Sequence, residues 1–475
     1  MLKSTIVLVA LAVLAVTLNA QESDPAASAP QENTQRSEPA PAVSAPVLST
    51  TAEPEVEEVP IEQHIVPIPA IIGGFSPTLA FSSSINRSNL LRLGINVGGS
   101  YDDNALITPT NAISNWGYSI FPNISIQQTR SRLRWDLGYS AGLNVNQELS
   151  SRNQGSHDLN LNLLYRLSPH VNLLFADHFS LSSGVFNQLG ANAAPQTGSS
   201  GVPGAAVAVP LSSSISNSTS AQIGYQFTAA DAVGVSGGFY LNDYRDVPVG
   251  VQLFDTRSSQ AAGFYTHRIT ERNWIGASYR FQRLTFTNGS GETLVHSVLA
   301  FDTFMLPAKM SVSIFAGPEY VNVVSGLTGS STGGSQNKQW SSAAGASFNW
   351  TGLQTSFFAE FARRTNDGGG LQGATQATSI GGGVRRRLGR AWTTSATATY
   401  GVNDSLTTGA GIPDSVKWTS FSASVERAIR ESVIFLAGYS HEIQKGQDLL
   451  LPDADAHRNR VWFSISYNFT RPLGR

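Results

Sequence analysis

Ten charged residues stand on the polar side of runs that alternate with apolar ones: Arg92, Arg134, Asp136, Asp158, Arg166, Glu360, Arg364, Arg385, Arg387 and Glu426. In an extended chain successive side chains point to opposite faces, so these ten fall on the face opposite the apolar residues. Two uses follow from mixed charge on one inner face. The charges set a transverse field that tunes which solutes pass, or they pair across neighbouring strands and stiffen a wall. Spacing alone supports both equally.

Other chemistry is poorly served. The histidines are scattered at 64, 157, 170, 178, 267, 296, 441 and 457, with no paired metal spacing and no H-E-x-x-H. Asp177 and His178 are adjacent, but strand neighbours face opposite ways and cannot form a catalytic hydrogen bond directly. No Ser-x-His register stands out, and no glycine-rich phosphate loop precedes a helix. The expectation is therefore no enzyme, no cofactor and no metal. Without any cysteine, disulfides, thiolate chemistry and a lipid anchor on cysteine are excluded. A net charge of -2 argues against a nucleic-acid partner.

The elements that would position these residues are strands. Leu133, Trp135, Leu137, Tyr139, Ala141, Leu143 and Val145 alternate with Arg134, Asp136, Gly138, Ser140, Gly142 and Asn144. Leu159 to Leu167 and Phe421 to Val425 repeat the pattern. In the last run Val461, Phe463, Ile465, Tyr467 and Phe469 share one face, against Trp462, Ser464, Ser466 and Asn468. This period of two is too sustained for helices. Segments of about 9–12 residues alternate with connections that are short (Ser168-Pro169-His170, Pro307-Ala308-Lys309, Arg430-Glu431-Ser432) and then long (roughly 102–115, 182–213, 364–375), which is the asymmetry of outer-membrane barrels. Nine such hairpins predict an all-β, antiparallel up-and-down barrel of about 18 strands over residues 89–475, with about 16 as the alternative because 258–269 and 293–304 have weak parity.

Tyr165-Arg166-Leu167-Ser168, Tyr225-Gln226-Phe227-Thr228 and Tyr467-Asn468-Phe469-Thr470, with Trp274, Trp350 and Trp392, suggest an aromatic girdle at one membrane interface. A soluble sandwich would also alternate, but it would need a second apolar face where this chain has Ser, Gly, Asn and Thr. Small polar residues such as Ser341, Ser347, Thr393 and Thr397 leave room for water inside a barrel this wide.

Ahead of the barrel, residues 1–20 read as a signal peptide, with Lys3, an apolar core and Asn19-Ala20 before Gln21. Residues 21–70, rich in Pro, Ala and Glu, read as a disordered periplasmic leader that serves as a spacer or an arm for cell-envelope proteins. Residues 71–88 are a transition or a plug segment.

Tyr101-Asp102-Asp103-Asn104-Ala105-Leu106, followed by Phe121-Pro122-Asn123-Ile124, resembles the opening of bacterial outer-membrane β-barrel porin-like proteins of the kind found near exopolysaccharide gene clusters. The resemblance extends over about residues 85–470. It implies an outer-membrane pore of a Gram-negative-type bacterium with periplasmic termini, outer-membrane lipid as a partner, a homo-oligomer (trimers being common among porins) and a link to glycan secretion. The long segment 182–213 is similar by position and length to the third loop that narrows general porins, but it lacks their acidic residues. Two functions follow as expectations: passive diffusion of small hydrophilic solutes, or a plugged structural or secretion-associated barrel acting with periplasmic partners.

Overall fold

The computed structural model describes residues 89–182, 212–245, 247, 253–287, 291–324, 336–370, 373–406, 414–446 and 455–473. The expected signal peptide, leader and transition segment, and nearly all of the third long loop, lie outside these residues. Eighteen strands follow one another: β1 (Leu90–Asp102), β2 (Asn115–Thr129), β3 (Leu133–Asn146), β4 (Gln154–Ser168), β5 (Val171–Ser182), β6 (Ser213–Gln226), β7 (Asp231–Arg245), β8 (Thr256–Thr270) and β9 (Asn273–Phe286). The second half comprises β10 (Gly291–Leu306), β11 (Met310–Val324), β12 (Gln336–Thr351), β13 (Thr355–Asn366), β14 (Thr375–Leu388), β15 (Trp392–Ser405), β16 (Ser415–Arg430), β17 (Val433–Lys445) and β18 (Asp455–Pro472).

Each strand pairs antiparallel with the next, and β1 pairs with β18 from Leu90↔Pro472 to Asp102↔Arg460. The sheet is thus closed, and it leaves no edge strand to template aggregation. Both ends of the described barrel meet at the rim of short connections, where Leu473 donates its N–H to Asn89 O at 2.8 Å.

Closure fixes which face looks out. On β18 Val461 and Phe463 are 52% and 48% exposed, whereas Trp462 and Ser464 are 3% and 5% exposed. The apolar side chains therefore form the outer wall. Tyr165, Tyr225, Tyr467, Trp350 and Trp392 ring its lower end, with the Arg427 guanidinium 4.9 Å from the Trp392 ring centroid. Trp274 departs from the expected girdle: it lies on the lumen-facing parity of β9, opposite Thr303. A second ring sits higher, built from cross-strand pairs: Tyr139 Oη–His157 Nδ1 at 2.9 Å and Tyr279 Oη–His296 Nδ1 at 2.8 Å. Amphipathic rings at two levels bound an apolar band, as a bilayer requires.

The strands run to 12–18 residues, longer than the roughly 9–11 that cross a bilayer. The excess forms a collar above the band on the side of the long connections. Weak parity in β8 and β10 has a local cause. Phe264, Leu299, Phe301 and Phe315 point inward and pack together with Ala343, so these strands are apolar on both faces. Facing glycines make room for the rings: a Cβ at Gly276 would overlap the Phe301 ring, and one at Gly345 would overlap the Phe315 ring. Aromatic–glycine pairs across strands fill such gaps and fix register.

Candidate pore and its constriction

All ten charged residues singled out above fall on the lumen-facing parity, which their alternation with outward apolar neighbours dictates. The fold brings some of them together. Arg92 and Arg134 act electrostatically on Asp136. Asp158 Oδ2 meets His178 Nε2 at 2.8 Å. Arg385 Nη2 lies 3.6 Å from Glu426 Oε2, reaching past β15. Glu360 and Arg364 join a cluster with Arg280 and Glu319. Arg166 and Arg387 stand on other parts of the inner wall. On β15 and β16 the lining is small and hydroxylated, with Ser395 and Ser424 hydrogen-bonded at 2.7 Å.

Two denser clusters lie in the collar. Arg458 donates to Asp102 Oδ2 through Nε (2.8 Å) and Nη2 (2.6 Å) and reaches Glu442 Oε2 at 3.5 Å. Arg460 Nε is 3.5 Å from the same Asp102 oxygen. Across the barrel, Arg280 Nη2 lies 3.5 Å from Glu319 Oε2, which also accepts from Ser297 Oγ at 3.0 Å. Paired and hydrogen-bonded, Arg458 and Asp102 can be held away from water, whereas the buried Arg460 Nε and Nη2 and Arg280 Nε have no hydrogen-bond partner among the described residues. The sequence placed Asp102 at the start of the long connection expected at roughly 102–115, which hid the first cluster. Its signal was Arg458-x-Arg460-x-Trp462, three positions on one strand face.

The collar is crossed by chain. Between β12 and β13 pairing stops at Ala344↔Arg363, although β12 continues against β11 up to Gln336. The end of the β13–β14 hairpin tucks inside this wall. Thr365 donates its N–H to Glu319 Oε1 at 3.1 Å, and its hydroxyl donates to the same oxygen. Gln376 accepts from the Ser341 hydroxyl. Gly368, Gly369 and Gly370, all at positive φ (63°, 64° and 84°), turn the tip, where L-residues would be strained. The tip then meets the end of the β7–β8 hairpin, six strands away round the barrel: Tyr244 Oη donates to Gly369 O at 3.0 Å, and Phe254 N donates to Gly370 O at 2.7 Å. Leu253, from the β7–β8 connection, packs with Val416 of β16 on the nearly opposite wall. Ile107, from the β1–β2 connection, packs with Ala456 and Trp418. The described narrowing thus comes from the first, fourth and seventh long connections, whereas the expected constriction by the third lies outside the described residues.

At the tip Asp367 is 2% exposed. Burial pushes its carboxyl up to about 7, against hydrogen bonds from backbone N–H groups that hold it down.

No family model and no curated protein matches this sequence. Among solved structures, the chain is similar to Pseudomonas aeruginosa OpdL at 11% identity and a TM-score of 0.40, over 81% of this chain and 99% of that one. Pseudomonas aeruginosa OccK2 (OpdF) in complex with glucuronate matches at 10% identity and a TM-score of 0.41, over 81% and 98%. The outer membrane protein OpdK of the same organism matches at 9% identity and a TM-score of 0.40, over 80% and 99%.

Proposed function

We propose that the chain is an outer-membrane channel for passive movement of small hydrophilic solutes, with an inner wall of hydroxyls and paired charges and a narrowed outer mouth. The observation that carries this reading is the closed sheet whose apolar face is exposed on every side between two aromatic rings, while its polar face encloses the lumen. Only a closed barrel satisfies strand backbone groups in a bilayer, and an 18-stranded one is too wide for side chains alone to fill. On this reading the short connections and both ends of the described barrel face the periplasm, residues 1–20 are the export signal, and the cell is of Gram-negative type. Liposome swelling tests it: proteoliposomes of the refolded chain should admit small sugars and exclude large dextrans, and liposomes that stay impermeable to the sugars would refute it.

The crossing of the collar by three connections favours a second reading. In it the barrel is plugged and acts with cell-envelope proteins through residues 21–70, in line with the resemblance to exopolysaccharide-associated barrels. Deleting 21–70 should then abolish a pulldown of envelope proteins while the barrel still folds. An undiminished pulldown would count against this alternative.

A further inference from the structure

Strands β14 to β17 carry a recess in their outer wall, about 590 Å³ in volume, within the roughly 300–1,000 Å³ of ordinary ligand clefts. Its form follows from register. Val384 of β14, Ala396 of β15, Ala423 of β16 and Tyr439 of β17 make one cross-strand row, so two methyl groups lie between two large side chains. The next row toward the short connections is Arg386, Thr394, Val425 and Ala437. Below it come Leu388, Trp392, Arg427 and Phe435, at the lower aromatic ring. These positions alternate with the lumen-facing Ser395 and Ser424 and so face the lipid.

Arg386 thus emerges on the outer wall one row above the ring. On the other strands that carry the ring, the outward residue next above it is large and apolar: Leu163, Ile223, Phe348 or Ile465. Neither the Arg386 nor the Arg427 guanidinium has a carboxylate or a hydrogen-bond acceptor among the described residues; Arg427 is held over the Trp392 ring instead. Glu426, beside Arg427 in sequence, faces the lumen with Arg385 Nη2 3.6 Å away. In the two adjoining turns Arg390 and Arg430 add positive charge, against Glu431 alone. A cation at the edge of the apolar band is costly unless its head reaches polar partners at the interface.

We propose that this recess binds one anionic phospholipid of the periplasmic leaflet, its phosphate between Arg386 and Arg427 and an acyl chain laid over Ala396 and Ala423. Neighbouring strands lie about 5 Å apart, so two arginines two strands apart can approach a single headgroup from either side. Guanidinium N–H pairs match phosphate oxygens in a fork geometry, and stacking on Trp392 presents one of them in advance. A second copy of the chain fits less well, because a twofold contact here would set the arginines against themselves.

The inference rests on the membrane-embedded reading, with the short connections on the periplasmic side. Native mass spectrometry tests it on the refolded full chain in detergent, titrated with phosphatidylglycerol and separately with phosphatidylcholine of the same acyl chains. One phosphatidylglycerol should bind about tenfold or more tighter than phosphatidylcholine. Arg386→Gln with Arg427→Gln should erase that preference, and Ala396→Phe, which fills the recess, should weaken phosphatidylglycerol binding at least as much. Arg257→Gln with Arg363→Gln, which removes equal charge from exposed positions of the collar, should leave it intact. Equal binding of the two lipids, several equivalent phosphatidylglycerol adducts, or an equal loss in the collar variant would overturn the proposal. So would a dimer that only the Arg386 and Arg427 changes dissociate, which would assign the face to a second copy. A refolded chain that does not insert into vesicles would overturn the embedded reading as well.

Discussion

Asp367 is a buried carboxyl at the tip of the seventh long connection. Its carboxyl takes up a proton near pH 7 when folded, as burial dictates, and near pH 4 when the chain is unfolded. Between those values the folded chain binds more protons than the unfolded one, so stability falls as pH rises through this window and is level above it. Urea unfolding of the refolded barrel should show that slope, worth on the order of 4 kcal/mol in full, and Asp367→Asn should abolish it. A slope unchanged in the variant would locate the titration elsewhere. The Asp102–Arg458 pair makes a second residue-scale prediction. Removing one partner strands a buried charge, so Arg458→Met should destabilise the barrel by about 3–5 kcal/mol, whereas replacing both residues by apolar ones should cost much less. Equal losses in the single and double variants would show that the pair acts through packing alone.

At the scale of elements, the inward Phe315 depends on the bare backbone of Gly345 across the strand pair. Gly345→Ala should displace the ring and cost about 1–3 kcal/mol, read as a lower unfolding midpoint; no loss would mean that the ring has room elsewhere. The crossing connections make a functional prediction. Leu253→Asp would set a charge against Val416 and Tyr244, expel the fourth connection from the lumen, and raise single-channel conductance by roughly twofold or more. Conductance no higher than that of the unmodified chain would mean that Leu253 does not limit flow. Much of this level was legible in the sequence. The strand number and the short-then-long order followed from alternation, because a half-buried strand writes its two faces into every second residue. Parity failed where both faces are apolar, as in β8 and β10, since Phe264 and Phe301 look like lipid-facing residues until a glycine is found opposite them. The collar was read as connection because its strands carry polar residues on both sides, as Asp455 to Arg460 does. The inward fold of the seventh connection left a trace only in Gly368-Gly369-Gly370, which marks a turn but not its direction.

For the whole molecule, closure of β1 on β18 turns a weak periodic pattern into a wall with one apolar and one polar side. The wall supplies the lumen, the rings set its depth in the bilayer, and the crossing connections set its bore. Whether solute passes through that bore is the central question, and single-channel recording of the refolded chain in a planar bilayer answers it most directly. Discrete, steady conductance steps are expected, small for a barrel of this strand number because the collar is narrowed. A heat-modifiable, correctly folded barrel that stays silent would contradict a channel and leave the plugged, partner-dependent barrel in its place.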